Sequence, residues 1–185
     1  MPDSDIQQYM GRQTLIAGDV NSGKTTLTTR ILTLFLDAGY GEQMAVLDLS
    51  PNPVGGIGGK LSLCRKTPVL YLTAEITAPR LMGTNAGHTL QLAEENARRI
   101  ERLFVTLKKR KRQILFVNDA TLYLQSGNYT LFYKTLEMSE TRIINAYYGD
   151  TFEDSELTRR ERRLSDALIR DCHTVIHSRP KINGG

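Results

Sequence analysis

Two rhythms alternate along the chain. Short unbroken apolar runs recur at 14–17, 43–49, 68–72, 113–119, 142–147 and 174–176, each bounded by polar or turn residues. Runs of this length without polar alternation predict strands covered on both faces. Between them lie stretches of helical period. In 26–38 the positions Leu27, Ile31, Leu32, Leu34 and Phe35 share one side, and Gly39 stops the helix. In 90–111 the apolar side carries Leu92, Ile100, Leu103, Phe104 and Leu107. Shorter helices are predicted at 129–138 and, heavily charged, at 156–170. Residues 50–60, rich in Pro and Gly, and 78–85, marked by Pro79 and Gly83, read as loops, and 180–185 as a tail. Strand and helix in alternation predict an α/β fold of three layers, a mostly parallel sheet with helices on both faces, and ligands at the carboxyl ends of the strands. A chain of 185 residues fits one such domain, 1–185.

The first loop of that pattern carries chemistry. Gly18-Asp19-Val20-Asn21-Ser22-Gly23-Lys24-Thr25 has two glycines five apart followed by Lys-Thr, the spacing of a phosphate-binding loop. A strand precedes it and a helix follows, as that motif needs. Gly18 and Gly23 are expected to take positive φ angles. Successive N–H groups then form an anion nest, and the helix points its positive end at the same spot. Gly18, Asp19, Asn21, Ser22, Gly23, Lys24, Thr25 and Thr26 form the expected nucleotide-binding set, a P-loop NTPase arrangement. Lys24 would reach the β- and γ-phosphates and the Thr25 hydroxyl would ligate Mg²⁺.

Composition adds little. A net charge of +4 is compatible with phosphate-rich partners without requiring them. Cys64 and Cys172 lack metal-ligand spacing and read as idle thiols of a reducing compartment. No apolar run approaches the roughly 18 residues that span a membrane. The N-terminus is polar and acidic rather than a secretory signal. A cytoplasmic protein without membrane association is the expectation.

A phosphate site also needs a carboxylate near the metal or the attacking group. Asp48 and Asp119 both stand where an apolar strand runs out, so both are expected at the ligand edge. One would hold Mg²⁺ and the other would accept a proton from the nucleophile. The alternative for each is a turn or capping acid. No Asn-Lys-x-Asp guanine-reading motif occurs, and Asn145 is a poor substitute. Late in the chain, Arg159-Arg160-Glu161-Arg162-Arg163 concentrates guanidinium groups that suit phosphate oxygens. At helical spacing Arg159 and Arg163 share a face, whereas Arg162 lies on another. A solvated helix face is the competing reading of this run. The run 108–112 reads as cations at a helix C-terminus. Arg80 and Asn85, on the 78–85 loop, are candidates for contact with a second substrate.

On order and spacing the chain resembles the P-loop domain of the polynucleotide 5′-hydroxyl kinase family of RNA processing, the cleavage/polyadenylation and ribosomal-RNA type. The resemblance spans most of 12–170: the loop Gly18 to Thr26; the strand-end motif Asp48-Leu49-Ser50-Pro51-Asn52; the nucleic-acid-contacting segment 69–84; the strand, turn and helix of 116–136; and the arginine-rich lid at 159–163. Where the family has Asp-x-Asp-x-Gly-Gln, this chain has Ser50 for the second acid and Asn52-Pro53 for the Gly-Gln. The resemblance implies ATP and Mg²⁺ as cofactors and phosphoryl transfer to an RNA or DNA 5′ end. Asp48 would be the proton acceptor, Asp119 the metal or supporting acid, and Arg159 or Arg163 the stabilisers of the transferring group. A protein partner would supply the family's flanking domains, which have no counterpart here. Simple ATP hydrolysis, a regulatory NTPase that switches partners through a mobile segment 55–59, and a non-catalytic nucleotide-binding scaffold are the other expectations.

Overall fold

The computed structural model describes residues 2–63 and 67–179. Six strands form one all-parallel sheet in the order β3-β2-β4-β5-β1-β6, with β1 Gln13–Gly18, β2 Met44–Asp48, β3 Leu70–Thr73, β4 Ile114–Asn118, β5 Thr141–Tyr147 and β6 Thr174–His177. The helices are α1 Pro2–Gln7, α2 Lys24–Asp37, α3 Pro79–Met82, α4 Ala86–Lys109, α5 Thr121–Leu124, α6 Tyr129–Leu136 and α7 Glu156–Arg170. The expected three-layer α/β architecture is therefore present, and every strand pair is parallel.

Successive strand residues point to opposite faces, so each central strand feeds two cores. Ile16, Val46, Phe116 and Ile143 pack with Ile31, Leu32 and Phe35 of α2 and with Ile6 of α1. Leu15, Leu47, Val117 and Ile144 pack on the other side with Ile100, Phe104, Tyr123, Phe132 and Leu168. Phe104 meets Tyr123 edge-on at 5.0 Å between ring centroids, and Phe35 meets Phe116 at 5.8 Å, both favourable quadrupole geometries.

Four local differences from the sequence pattern have physical causes. The polar N-terminal segment forms α1, because Ile6 reaches the α2 core. The segment expected to be a loop at 78–85 holds a helical turn, α3, with Pro79 at its start, where a missing N–H costs nothing. Next, α4 begins at Ala86 rather than at 90, because Asn85 caps it by accepting the His88 N–H at 2.9 Å. The Asn85 side-chain oxygen is thus used at a helix end, and Asn85 does not line the cavity described below. The short helix α5 begins two residues after Asp119, and its four residues are buried because they pack into the core beside Phe104 and Phe132. Cys64 and the 180–185 tail lie outside the described residues. Cys172 is free and partly buried; burial first of all pushes its thiol up to about 11, and the Gln13 amide donates to it at 3.4 Å. Among the described residues no helix is long and apolar enough to cross a membrane.

Candidate functional site

The carboxyl ends of β1, β2, β4 and β5 open onto a cavity of about 360 Å³. The loop between β1 and α2 forms one wall through Asn21, Ser22, Gly23, Lys24, Thr25 and Thr26. Ser50, Ile57 to Lys60, Arg80, Asp119, Thr121, Asn145, Tyr147 and Phe152 also line it.

The loop is built differently from the expectation in one respect. Gly23 is left-handed at φ +87°, and so is Asn21 at +54°, but Gly18 has no positive φ. Gly18 is needed for space: a Cβ there would lie 2.5 Å from both the Ser178 carbonyl and Ser22 Oγ. Ser178, just beyond β6, donates its N–H to the Ala17 carbonyl at 2.7 Å and its hydroxyl to the Ser22 carbonyl. The end of β6 thereby braces the loop from outside. Asp19 turns away from the cavity. Its Oδ1 accepts from Thr151 Oγ1 and from the Val20 N–H, and its Oδ2 from the Asp150 N–H. Burial raises this carboxyl, but those hydrogen bonds, with Lys24 nearby, outweigh it and hold the pKa below 3.8. Lys24 donates to the Asp19 carbonyl at 2.6 Å across the loop. Desolvation lowers its ammonium pKa, against the pull of Asp119 and Asp19.

The two strand-end acids are used in opposite ways. Asp48 is 0% exposed. Its Oδ1 accepts from Asn118 Nδ2 at 2.8 Å and the Ser50 N–H at 3.3 Å; its Oδ2 accepts from the Leu61 N–H at 2.6 Å and from the Tyr71 hydroxyl. These four donors engage both carboxylate oxygens. Ser50 and Leu61 bound the Pro- and Gly-rich segment, so one carboxylate pins both ends of that loop. Lys60 adds a second clasp by donating to the Ser50 carbonyl at 3.0 Å and to Thr73 Oγ1 at 2.6 Å. The roles expected of Asp48, proton acceptor and metal ligand, do not match these surroundings. Asp48 does not line the cavity, and its four donors tie the loop to the neighbouring strands.

Asp119 has the complementary setting. It follows β4 in a left-handed conformation, φ +58°, which a short polar side chain tolerates. The Asn145 side chain fixes it there by accepting the Asp119 N–H at 2.8 Å. Its carboxylate faces the cavity beside Lys24 and Thr25. Thr121 donates to Oδ1 at 2.6 Å, whereas Oδ2 has only a long contact with Ser50 Oγ at 3.4 Å among the described residues. Desolvation raises its pKa, opposed by Thr121, Lys24 and Ser50.

A buried polar ladder joins the two acids beneath the cavity. Asn145 Nδ2 donates to Thr28 Oγ1 at 2.8 Å and to Asn118 Oδ1 at 2.7 Å, and Asn118 in turn donates to Asp48. The pattern held one signal of this ladder, a polar Asn145 inside the apolar run Ile143-Ile144-Asn145-Ala146.

The arginine-rich helix α7 also departs from expectation. Ser155 caps it by accepting the Thr158 N–H at 3.1 Å. Arg159 is exposed and pairs with Asp154 at 2.6 Å, and Arg163 is exposed in a surface depression; neither lines the cavity. Arg162, expected on an idle face, donates to the Gly149 carbonyl at 2.7 Å and lies 4.2 Å from the centre of the Tyr148 ring. The residue α7 turns inward is Glu161, with a side chain 3% exposed, which meets Arg80 of α3 at 2.8 Å and accepts from Gln125 at 2.8 Å. Leu157, Glu161 and Leu168 lie on one face at helical spacing, so the signal was an acid on the apolar stripe. Among the described residues, the arginine that lines the cavity is Arg80.

Chemically, the arrangement offers an ammonium, a hydroxyl, a carboxylate and a guanidinium around one open cleft. Thr25 and Asp119 suit a hard cation that keeps most of its waters, such as Mg²⁺ bound together with phosphate oxygens. No dedicated cluster of three or more acidic, His or Cys ligands occurs among the described residues. The chain matches no family model, and no curated protein matches it.

Proposed function

We propose that this protein binds a nucleoside triphosphate with Mg²⁺ at the Gly18–Thr25 loop and carries out ATP-dependent phosphoryl transfer, with a nucleic-acid 5′-hydroxyl as acceptor. The observation that supports the reading is the convergence of Lys24, Thr25 and Asp119 on one cavity at the carboxyl edge of the sheet. Lys24 and the loop N–H groups hold the phosphates. Thr25 and Asp119 would hold the metal, which when bound would neutralise charge on phosphate oxygens. The family resemblance supplies the acceptor class.

A second reading, a regulatory NTPase, draws on the glycine segment. Gly55, Gly56, Gly58 and Gly59 all have positive φ, and Gly58 and Gly59 line the same cavity. Such a segment can exchange conformations when a γ-phosphate is lost.

Label transfer from ATP to a 5′-hydroxyl oligonucleotide, measured beside phosphate release without oligonucleotide, separates the readings. Transfer supports the first; release alone supports the second. Lys24→Ala abolishes measurable ATP affinity by calorimetry. Equal affinity in mutant and wild type overturns both.

A further inference from the structure

Arg80 is held in a way that a surface arginine is not. Its side chain is 13% exposed. Asn96, buried in α4, fixes the approach to it by accepting the Thr77 N–H at 3.0 Å and donating to the Thr77 carbonyl at 3.0 Å. The guanidinium lies 4.6 Å from the centre of the Phe152 ring and 5.8 Å from that of Tyr147. Its one charged contact among the described residues is Glu161, and Glu161 is steadied in turn by Gln125. Glu161 Oε2 holds Nη2 at 2.8 Å, so the buried donor left without a partner among the described residues is Nε. A buried guanidinium N–H without an acceptor is costly, and an anion would satisfy it. This donor belongs to a residue that lines the same cavity as Lys24.

We propose that Arg80 is a second phosphate-binding group of this cavity and that Glu161 is its positioning residue. The inference rests on the nucleotide reading above and extends it to a second group lining the same cavity. The ligand chemistry is a phosphoryl group presenting oxygens to the free edge of the guanidinium while Glu161 holds another edge. That phosphoryl group has two sources, the terminal phosphate of the nucleotide or a phosphate of an oligonucleotide acceptor. Phe152 keeps the guanidinium plane fixed, so little freedom is lost when the ligand binds.

The test is calorimetry on the full chain with Mg²⁺ and three probes: a non-hydrolysable ATP analogue, ADP, and a 5′-phosphorylated oligonucleotide. The variants are Arg80→Lys, Arg80→Ala, Glu161→Gln, and Arg80→Ala with Glu161→Gln. The double substitution removes both buried charges, so it remains informative if Arg80→Ala alone strands Glu161 and fails to fold. Loss of affinity for the triphosphate analogue, on the order of 30-fold in the double variant with ADP unchanged, assigns Arg80 to the terminal phosphate. The same loss confined to the oligonucleotide assigns it to the acceptor. Arg80→Lys keeps charge and loses the fork, so it loses the same ligand by a smaller factor. Glu161→Gln lowers the same affinity ratio, and adds nothing once Arg80 is gone, which a purely structural role does not predict. Equal affinities for all three probes across the folded variants overturn the proposal while leaving the nucleotide reading intact. A wild type that binds none of the probes overturns both.

Discussion

The ends of β2 and β4 lie side by side, and each delivers an aspartate within a residue of the same level: Asp48 pairs with Asn118 in register, and Asp119 comes next. The two carboxylates nevertheless sit in different media. Asp48 is sealed among four donors and organises protein. Asp119, one step further along, breaks from the strand into a left-handed conformation and faces the cavity with Oδ2 nearly free. The difference shows that residue type and strand-end position do not define a catalytic acid. What defines it is whether the surrounding donors have already been assigned.

The sharpest way to break the comparison is to remove each carboxylate. Asp48→Ala strands a tyrosine hydroxyl, an amide and two backbone N–H groups, and should destabilise the fold by about 3–5 kcal/mol in urea denaturation, the scale for losing one partner of a buried polar network. Asp119→Ala should cost about 1 kcal/mol or less in the same measurement, since its principal donor is the Thr121 hydroxyl. Similar losses in the two variants would erase the distinction.

Activity should divide the pair the other way. Asp119→Asn is expected to lower turnover on the order of 10²-fold or more while the protein stays folded. Its stability should also respond less to pH. Burial raises the Asp119 pKa above its ordinary 3.8, so the folded state holds that proton more tightly. The associated stability is fully present below the unfolded pKa and is lost as pH rises through the folded value. Thermal melts from pH 3.8 upward should therefore fall less in Asp119→Asn than in wild type. An unchanged pH profile would mean that the carboxyl is solvated after all.

The smallest effect concerns α7. Arg162→Ala should cost about 1 kcal/mol, through the Gly149 hydrogen bond and the Tyr148 ring contact. Arg163→Ala should stay within about 0.5 kcal/mol, as surface substitutions do. Turnover should be insensitive to Arg163. A large loss of activity in Arg163→Ala would restore the arginine-rich stretch to the cavity through a movement of α7.

Much of the frame was legible before any coordinates. Unbroken apolar runs, helical stripes and turn residues determined the alternation of strands and helices, because burial on two faces leaves little other choice of side chain. The glycine spacing before Lys24 located the loop, and the position of β1 ahead of it placed that loop at the carboxyl edge. Legibility stopped at helix phase and side-chain aim. The sequence marked five consecutive charged residues at 159–163, but only the packing of α7 decided that Glu161 turns inward while Arg159 and Arg163 face water.

By itself, then, the sequence determined the layers and the place of the glycine loop at the carboxyl edge, since these follow from local pattern. The tertiary structure alone decided which acid is free, which arginine lines the cavity and what Gly18 makes room for. Each of those answers depends on a partner far away in the chain: Leu61 and Tyr71 for Asp48, Asn145 for Asp119, Glu161 for Arg80, Ser178 for Gly18. A hydrogen bond or an ion pair is made at about 3 Å, and only folding brings such residues that close.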